Sequence, residues 1–318
     1  GLVSVGFAAA PEFPDIEGYE FEDEVRRLAS LGVIAGYPDG TFRPEEAVTR
    51  AEFAKMIVVM LGLENAANLM KGQAVSFSDV PATHWASGYI NVAEMKGVVN
   101  GYPDGTFKPE GAITYAEALK MILTAMGYHE EGFLVLRWPT TWIIQAAEIG
   151  LDEDVEILAN LRITRGEVAK LFDNSLTKPH VKIGEYGFEV IGGEETEKQV
   201  TFMRKLGVKS LVGQVVDSPE LWDNTSGKVK VGSEEFTTEA YEGLFGHKVQ
   251  VWYKSKTNVL AIDDLSTEKV LTKTEYNKIT NKKDLQFFVN YVNRTSDFVI
   301  NSNVYDSEVQ GADERVVV

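Results

Sequence analysis

Residues 36–42 and 101–107 carry the same seven letters, GYPDGTF, offset by 65 residues from Gly36 to Gly101. The offset persists downstream, where Thr49-Arg50-Ala51-Glu52 aligns with Thr114-Tyr115-Ala116-Glu117. A worn third copy keeps the T-x-x-E block as Thr164-Arg165-Gly166-Glu167, now 50 residues on from Thr114, and lacks the GYPDGTF loop. Near the missing loop stands the acidic stretch Leu151 to Asp154. A repeated unit of this size constrains the fold more than any composition does, because each copy must bury its apolar face against its neighbours.

The three copies share one local grammar. T-x-x-E is a capping box: the Thr hydroxyl accepts from the backbone three residues on, and the Glu reaches back to the Thr N–H. This assigns structural roles to Thr49 and Glu52, Thr114 and Glu117, and Thr164 and Glu167. An apolar stripe at helical spacing comes after each box: Phe53, Met56, Ile57, Met60 and Leu61 in the first copy, and Ala118, Met121, Ile122, Ala125 and Met126 in the second. In the third it is Val168, Leu171, Phe172 and Leu176, with Ser175 as a polar lapse. An earlier helix is predicted over about residues 22–31 and again over about 86–96, each stopped by a glycine, Gly32 and Gly97. Pro-Asp-Gly then makes a tight turn. Each unit therefore reads as helix, turn-bearing loop, helix, and three of them predict an all-α pseudo-threefold assembly.

Composition narrows the function. A net charge of −17 argues against nucleic-acid binding, which needs a basic face. It also requires that an anionic ligand be held by local cations against the average field. The chain has no cysteine, which excludes disulfides, a thiol nucleophile and a zinc–thiolate site. No apolar run is long enough to cross a bilayer, so membrane insertion is not expected. The four histidines show no metal-ligand spacing, and Asp39 and Asp104 lack the further oxygens of a calcium loop, so neither metal nor cofactor is expected. The repeated glutamates are accounted for as caps, and no catalytic residue is assigned.

FSDVPATHWA (77–86), GVVNGYPDGTFKPE (97–110) and TRAEFAKMI (49–57) resemble the repeats of the S-layer homology family. The resemblance covers residues 12 to 177. It implies a three-pronged helical module that fastens a bacterial surface protein, without covalent bonds, to an anionic secondary cell-wall polysaccharide. Pyruvylated terminal sugars are the ligand the family implies, held in grooves between neighbouring repeats. The arginine of the T-R-A-E block implies Arg50 and Arg165 as anion receptors, with Arg50 the stronger candidate. Tyr115 stands at that place in the second copy and supplies no cation. An alternative for each arginine is an internal pair with Glu46 or a similar acid. Trp85 and Trp142 suit either stacking on a sugar or packing beneath a prong. Tyr37 and Tyr102 suit either a groove wall or the turn itself, and Arg43 and Lys108 would add positive field.

The expected organisation is α+β and multidomain. Residues 1–11 read as a signal remnant or N-terminal extension, 12–62 as the first repeat, 77–127 as the second and 138–177 as a divergent third. Residues 183–265 form a small β-rich domain, with strands over 212–216, 228–231, 247–253 and 259–262. Residues 266–318 form a β-containing segment, with extended stretches over 285–292 and 298–304. The final Val316-Val317-Val318 looks like mid-strand, so a longer protein is expected. The second half carries no catalytic grouping and suits lateral contacts, including self-association into a surface lattice. The alternative is the anchoring part of a larger cell-surface enzyme, such as a glycan hydrolase with its catalytic domain elsewhere.

Overall fold

The computed structural model describes residues 4–5, 12–195, 198–219, 224–239, 241, 244–265, 268–271 and 314–317. The extended stretches expected at 285–292 and 298–304 lie outside them. The chain is α+β, with helices in the first part and sheets in the second. It divides into two compact units, residues 10–208 and residues 209–318 together with 1–9.

The first unit holds α1 (Glu22–Leu31), α2 (Arg50–Met60), α3 (Glu64–Met70), α4 (Ser87–Met95), α5 (Tyr115–Ala125), α6 (Thr140–Glu148) and α7 (Arg165–Ser175). Each of α2, α5 and α7 begins with a complete capping box, at Thr49–Glu52, Thr114–Glu117 and Thr164–Glu167. These three helices pack on one another, with Phe53 stacked on Phe172 at 5.1 Å between ring centroids. The other helices are shared out cyclically: α4 packs on α2, α6 on α5, and α1 returns to α7.

The residues just before the caps close a ring. Val48 N–H donates to Ile163 O (3.3 Å), Ile163 N–H to Ile113 O (3.2 Å), and Ile113 N–H to Val48 O (2.9 Å). All three side chains are fully buried. Around this triangle, Arg50 N–H donates to Gly111 O, Tyr115 N–H to Leu161 O, and Arg165 N–H to Glu46 O. A second circuit runs from Ala51 N–H to Pro109 O, Ala116 N–H to Ala159 O, and Gly166 N–H to Pro44 O. The first N–H groups of a helix have no partner within it. Here carbonyls of the adjacent segment take those that the threonines leave, so helix capping and segment assembly are one event.

The GYPDGTF loops are built as their letters dictate. Gly40 and Gly105 hold φ of 84° and 79°, where a Cβ is disfavoured, and close the turn onto the carbonyls of Tyr37 and Tyr102. Asp39 and Asp104 accept from the N–H and hydroxyl of Thr41 and Thr106. Two further carboxylates, Asp15 and Asp79, accept the backbone N–H groups of Phe42 and Arg43 and of Phe107 and Lys108. They tie each loop to the start of its own segment, a role not read from the sequence although F-x-D recurs at 13–15 and 77–79.

The β-rich domain was expected from residue 183, whereas the units divide between Val208 and Lys209. The intervening residues belong with the helices. They form the hairpin of β2 (Val181–Gly184) with β3 (Gly187–Val190), and the short α8 (Phe202–Lys205). Phe188 stacks edge-on against Tyr128 and Phe133, and Val181 N–H donates to Met126 O. These contacts outweigh the composition shift at Pro179.

The second unit contains β1 (Ser4–Val5), β4 (Lys209–Asp217), β5 (Val229–Val231), β6 (Glu234–Phe236), β7 (Lys248–Ser255) and β8 (Asn258–Asp264), in sheet order β1-β8-β7-β4-β5-β6 with every pairing antiparallel. Its core is Val215, Val229, Val231, Phe236, Leu244, Val249, Val251, Val259 and Ile262. Strands β9 (Glu268–Leu271) and β10 (Glu314–Val317) pair antiparallel with each other. No described helix is long and apolar enough to cross a membrane.

His180, at the start of the hairpin, is buried with its ring edge-on to Phe202 at 4.5 Å. Burial, with Lys205 nearby, pulls its pKa down from 6.5 to about 3. A group depressed on folding stabilises the fold above its unfolded pKa and loses that contribution as pH falls. His180→Leu should therefore remove part of the acid-side loss of stability between pH 6.5 and 3, a slope of up to about 1.4 kcal/mol per pH unit for one proton. Urea midpoints of both proteins across that window measure it.

Candidate functional site

The ring brings the first turn of one segment's capped helix against the next segment three times, twice at a GYPDGTF loop and once at the third copy, which lacks it. At the first junction, Arg165 of α7 lies against the loop of residues 33–37 and the flank of α2. Its Nε donates to Phe42 O (2.9 Å) and its Nη2 to Ala35 O (2.9 Å), and the guanidinium stands over the rings of Tyr37 and Phe42. Its Nη1 is 3.9 Å from Glu52 Oε1, outside hydrogen-bonding distance. Arg165 lies on the wall of an open cavity of about 190 Å³. Tyr37, Glu52, Lys55, Met56 and Trp85 line it too.

Trp85 is 47% exposed, so its face is available at this cavity. Tyr37 donates its hydroxyl to Glu46 Oε2 (3.3 Å) and carries Arg43 on its ring at 4.0 Å. Arg43 is partly exposed, pairs with Asp39 (2.8 Å) and Glu46 (3.5 Å), and does not line the cavity. Lys55 was not singled out in the sequence, yet it is the second cation here. A repeat signal marks it: T-x-x-E extends to T-x-x-E-x-x-K in all three copies, at Lys55, Lys120 and Lys170.

At the second junction Arg50 occupies the matching place and is closed off. Its Nε donates to Phe107 O (2.8 Å), and its Nη1 pairs with Glu117 Oε1 at 3.0 Å. Tyr102 donates its hydroxyl to that same Oε1 (2.6 Å), and Lys108 lies over the Tyr102 ring. Burial opposes the charge on Glu117, but bonds from Tyr102 and Thr114 and the Arg50 charge outweigh it and hold the carboxyl below the usual range. Burial and the bond to Glu117 push Tyr102 up to about 12. Lys120 pairs with Glu130 at 2.6 Å.

The third junction has Tyr115 in the arginine's place, donating to Glu167 Oε1. Lys170 pairs with both Glu24 (3.0 Å) and Asp154 (3.1 Å). Of the three equivalent lysines, Lys55 alone has no carboxylate partner among the described residues.

Arg50 was expected to be the stronger candidate. Both arginines are buried; Arg165 lines the cavity, whereas Arg50 is paired with Glu117. Trp142 is core, 1% exposed and edge-on to Phe133. The residue matching Trp85 is Trp138, since each lies two positions ahead of its helix, α4 or α6. Trp138 is 54% exposed.

A family model described as the S-layer homology domain matches residues 12–54 and 76–119. The chain is 34% identical over 204 residues to the "Middle cell wall protein" of Brevibacillus brevis, covering 64% of this chain and 19% of that protein. It is 35% identical over 190 residues to the "Surface layer protein" of Brevibacillus choshinensis, covering 60% and 17%. To the "Cell surface protein" of Thermoanaerobacter kivui it is 34% identical over 200 residues, covering 63% and 26%. This is a cell-surface protein built on capped helical repeats. Residues 12–54 and 76–119 are S-layer homology domains. The matched region spans about a quarter or less of the length of these relatives.

Because Arg50 and Glu117 are largely buried partners, removing one strands the other. Arg50→Ala should destabilise the helical unit by about 3–5 kcal/mol, whereas the partly exposed Lys55→Ala should stay within about 0.5 kcal/mol of wild type. Denaturant midpoints with unchanged m values distinguish the two.

Proposed function

We propose that the protein is held at the cell surface by non-covalent binding of an anionic, pyruvylated secondary cell-wall polysaccharide in the cavity at Arg165. The observation that carries this reading is the conjunction of Arg165 and the unpaired Lys55 with the exposed face of Trp85. A chain of net charge −17 repels an acidic polymer on average, so only a local pair of cations in a sheltered place can hold one. A guanidinium with one edge free suits a carboxylate. An indole beside it suits the apolar face of a sugar ring. The cavity has room for a single ring, which fits a terminal residue better than the middle of a strand.

Residues 12–62, 77–127 and 138–177 then act as three S-layer homology repeats. The third is supported by its capping box and by its place in the hydrogen-bonded ring. The role is anchoring without catalysis. Glu52, the carboxylate at the site, has its Oε2 committed to the N–H and hydroxyl of Thr49. The β-rich unit provides lateral or spacer contacts, including self-association into a surface lattice.

The test is sedimentation with purified wall, before and after chemical removal of the acidic secondary polymer. Wild type should bind only the untreated wall, and less tightly as salt rises. Lys55→Ala and Trp85→Ala should each weaken binding about tenfold, the loss of roughly 1–2 kcal/mol expected for one charge-assisted or stacking contact. Equal binding to stripped wall, or full binding by the Lys55→Ala/Trp85→Ala double variant, would overturn the assignment.

A further inference from the structure

The first two junctions are built from nearly the same residues, yet one is open and the other shut. The arginine, the loop tyrosine and the capping glutamate are present in both: Arg165, Tyr37 and Glu52 at the first, Arg50, Tyr102 and Glu117 at the second. What differs is where the tyrosine hydroxyl goes. Tyr37 donates to Glu46, and Arg165 Nη1 stays 3.9 Å from Glu52. Tyr102 donates to Glu117, whose same oxygen lies 3.0 Å from Arg50 Nη1. The residue 65 positions on from Glu46 is Gly111, which has no side chain to accept a hydroxyl. The backbone at the two places is alike: Glu46 N–H donates to Arg43 O and Gly111 N–H to Lys108 O, while their carbonyls accept from Arg165 and Arg50.

We propose that the position held by Glu46 in one segment and Gly111 in the other selects which junction admits an anion. Glu46 draws the Tyr37 hydroxyl away from the capping glutamate, so Glu52 is not pulled onto Arg165 and the guanidinium keeps an edge for a ligand. With glycine in that place, Tyr102 turns to Glu117, and the tyrosine and arginine converge on one carboxylate oxygen. Glu117 thereby fills the place beside Arg50 that an anionic ligand would take. Glu46 is a positioning residue and touches no ligand. Specificity for one anchored chain end per module follows from a single side chain. The selection rests on the reading of Arg165 as the anion receptor; the internal lock does not.

Two exchanges test it. Gly111 is not at positive φ, and an added Cβ would meet Lys108 O at 3.2 Å, so a side chain fits with a small shift. The variants are Glu46→Gly, Glu46→Gln and Gly111→Glu in the full chain. The first readout needs no ligand: NMR of the arginine side chains reports how freely each guanidinium turns and exchanges. Arg165 should become as restrained in Glu46→Gly as Arg50 is in wild type, and Arg50 should loosen in Gly111→Glu. The second is calorimetric titration with a methyl glycoside bearing a pyruvate ketal. Wild type should bind one equivalent, Glu46→Gly at least tenfold more weakly, Glu46→Gln close to wild type because an amide oxygen still accepts, and Gly111→Glu two equivalents. Unchanged arginine dynamics in both exchange variants, or wild-type affinity in Glu46→Gly, would overturn the selection. Failure of every variant and of wild type to bind the glycoside, with the arginine dynamics switching as stated, would overturn the anion reading and leave the lock standing.

Discussion

Three backbone hydrogen bonds, from Val48 to Ile163, Ile163 to Ile113 and Ile113 to Val48, hold the helical unit on its axis. Each joins residues far apart in sequence, and each sits immediately before a capping box. Closing the ring orders three helix N-termini at once, because the adjacent carbonyls take N–H groups that would otherwise be unsatisfied in the interior. One segment alone would leave both its apolar stripe and its first helical turn without partners. The assembly is cooperative for that reason, and the grooves between segments arise from the same contacts.

The junctions show how copies of one repeated scaffold diverge. Each junction places the first-turn residue of one segment against the loop or the capping glutamate of the next. Carboxylates engage the first-turn residue at two of them, Glu117 at the second and Glu167 at the third, and the repeat-equivalent lysines Lys120 and Lys170 pair with Glu130 and with Glu24 and Asp154. At the first junction no carboxylate lies within hydrogen-bonding distance of the Arg165 guanidinium, and Lys55 has no carboxylate partner among the described residues. The buried Arg50–Glu117 pair is best regarded as a structural brace, since an ion pair taken out of water is costly to break and of little use to an external ligand.

Much of the first unit was legible in the letters. The capping boxes, the apolar stripes, the Pro-Asp-Gly turns and the ends of α1 and α4 obey local rules, and local rules can be read from a window of a few residues. The loop anchors Asp15 and Asp79 were missed because their partners lie 27 or more residues away. The hairpin of β2 and β3 and helix α8 were given to the wrong unit for the same kind of reason. Their composition resembles that of the β-rich unit, and only the contacts of Phe188 and Val181 reveal where they pack. Strands β4, β5, β7 and β8 were legible from their β-branched runs. Short β6, with two exposed glutamates, was not.

The sequence by itself determined the repeat, its helix boundaries, the resemblance to S-layer homology repeats, and the requirement that any acidic ligand meet a local cluster of positive charge. All of these depend on residue type and short spacing. Only the tertiary structure decided which arginine is open, because that turns on a competition among hydroxyls and carboxylates brought together by ring closure. Arg50 and Arg165 occupy identical motif positions. Their surroundings differ at Glu46 and Gly111, whose carbonyls accept the backbone N–H of Arg165 and Arg50 across the junctions between segments.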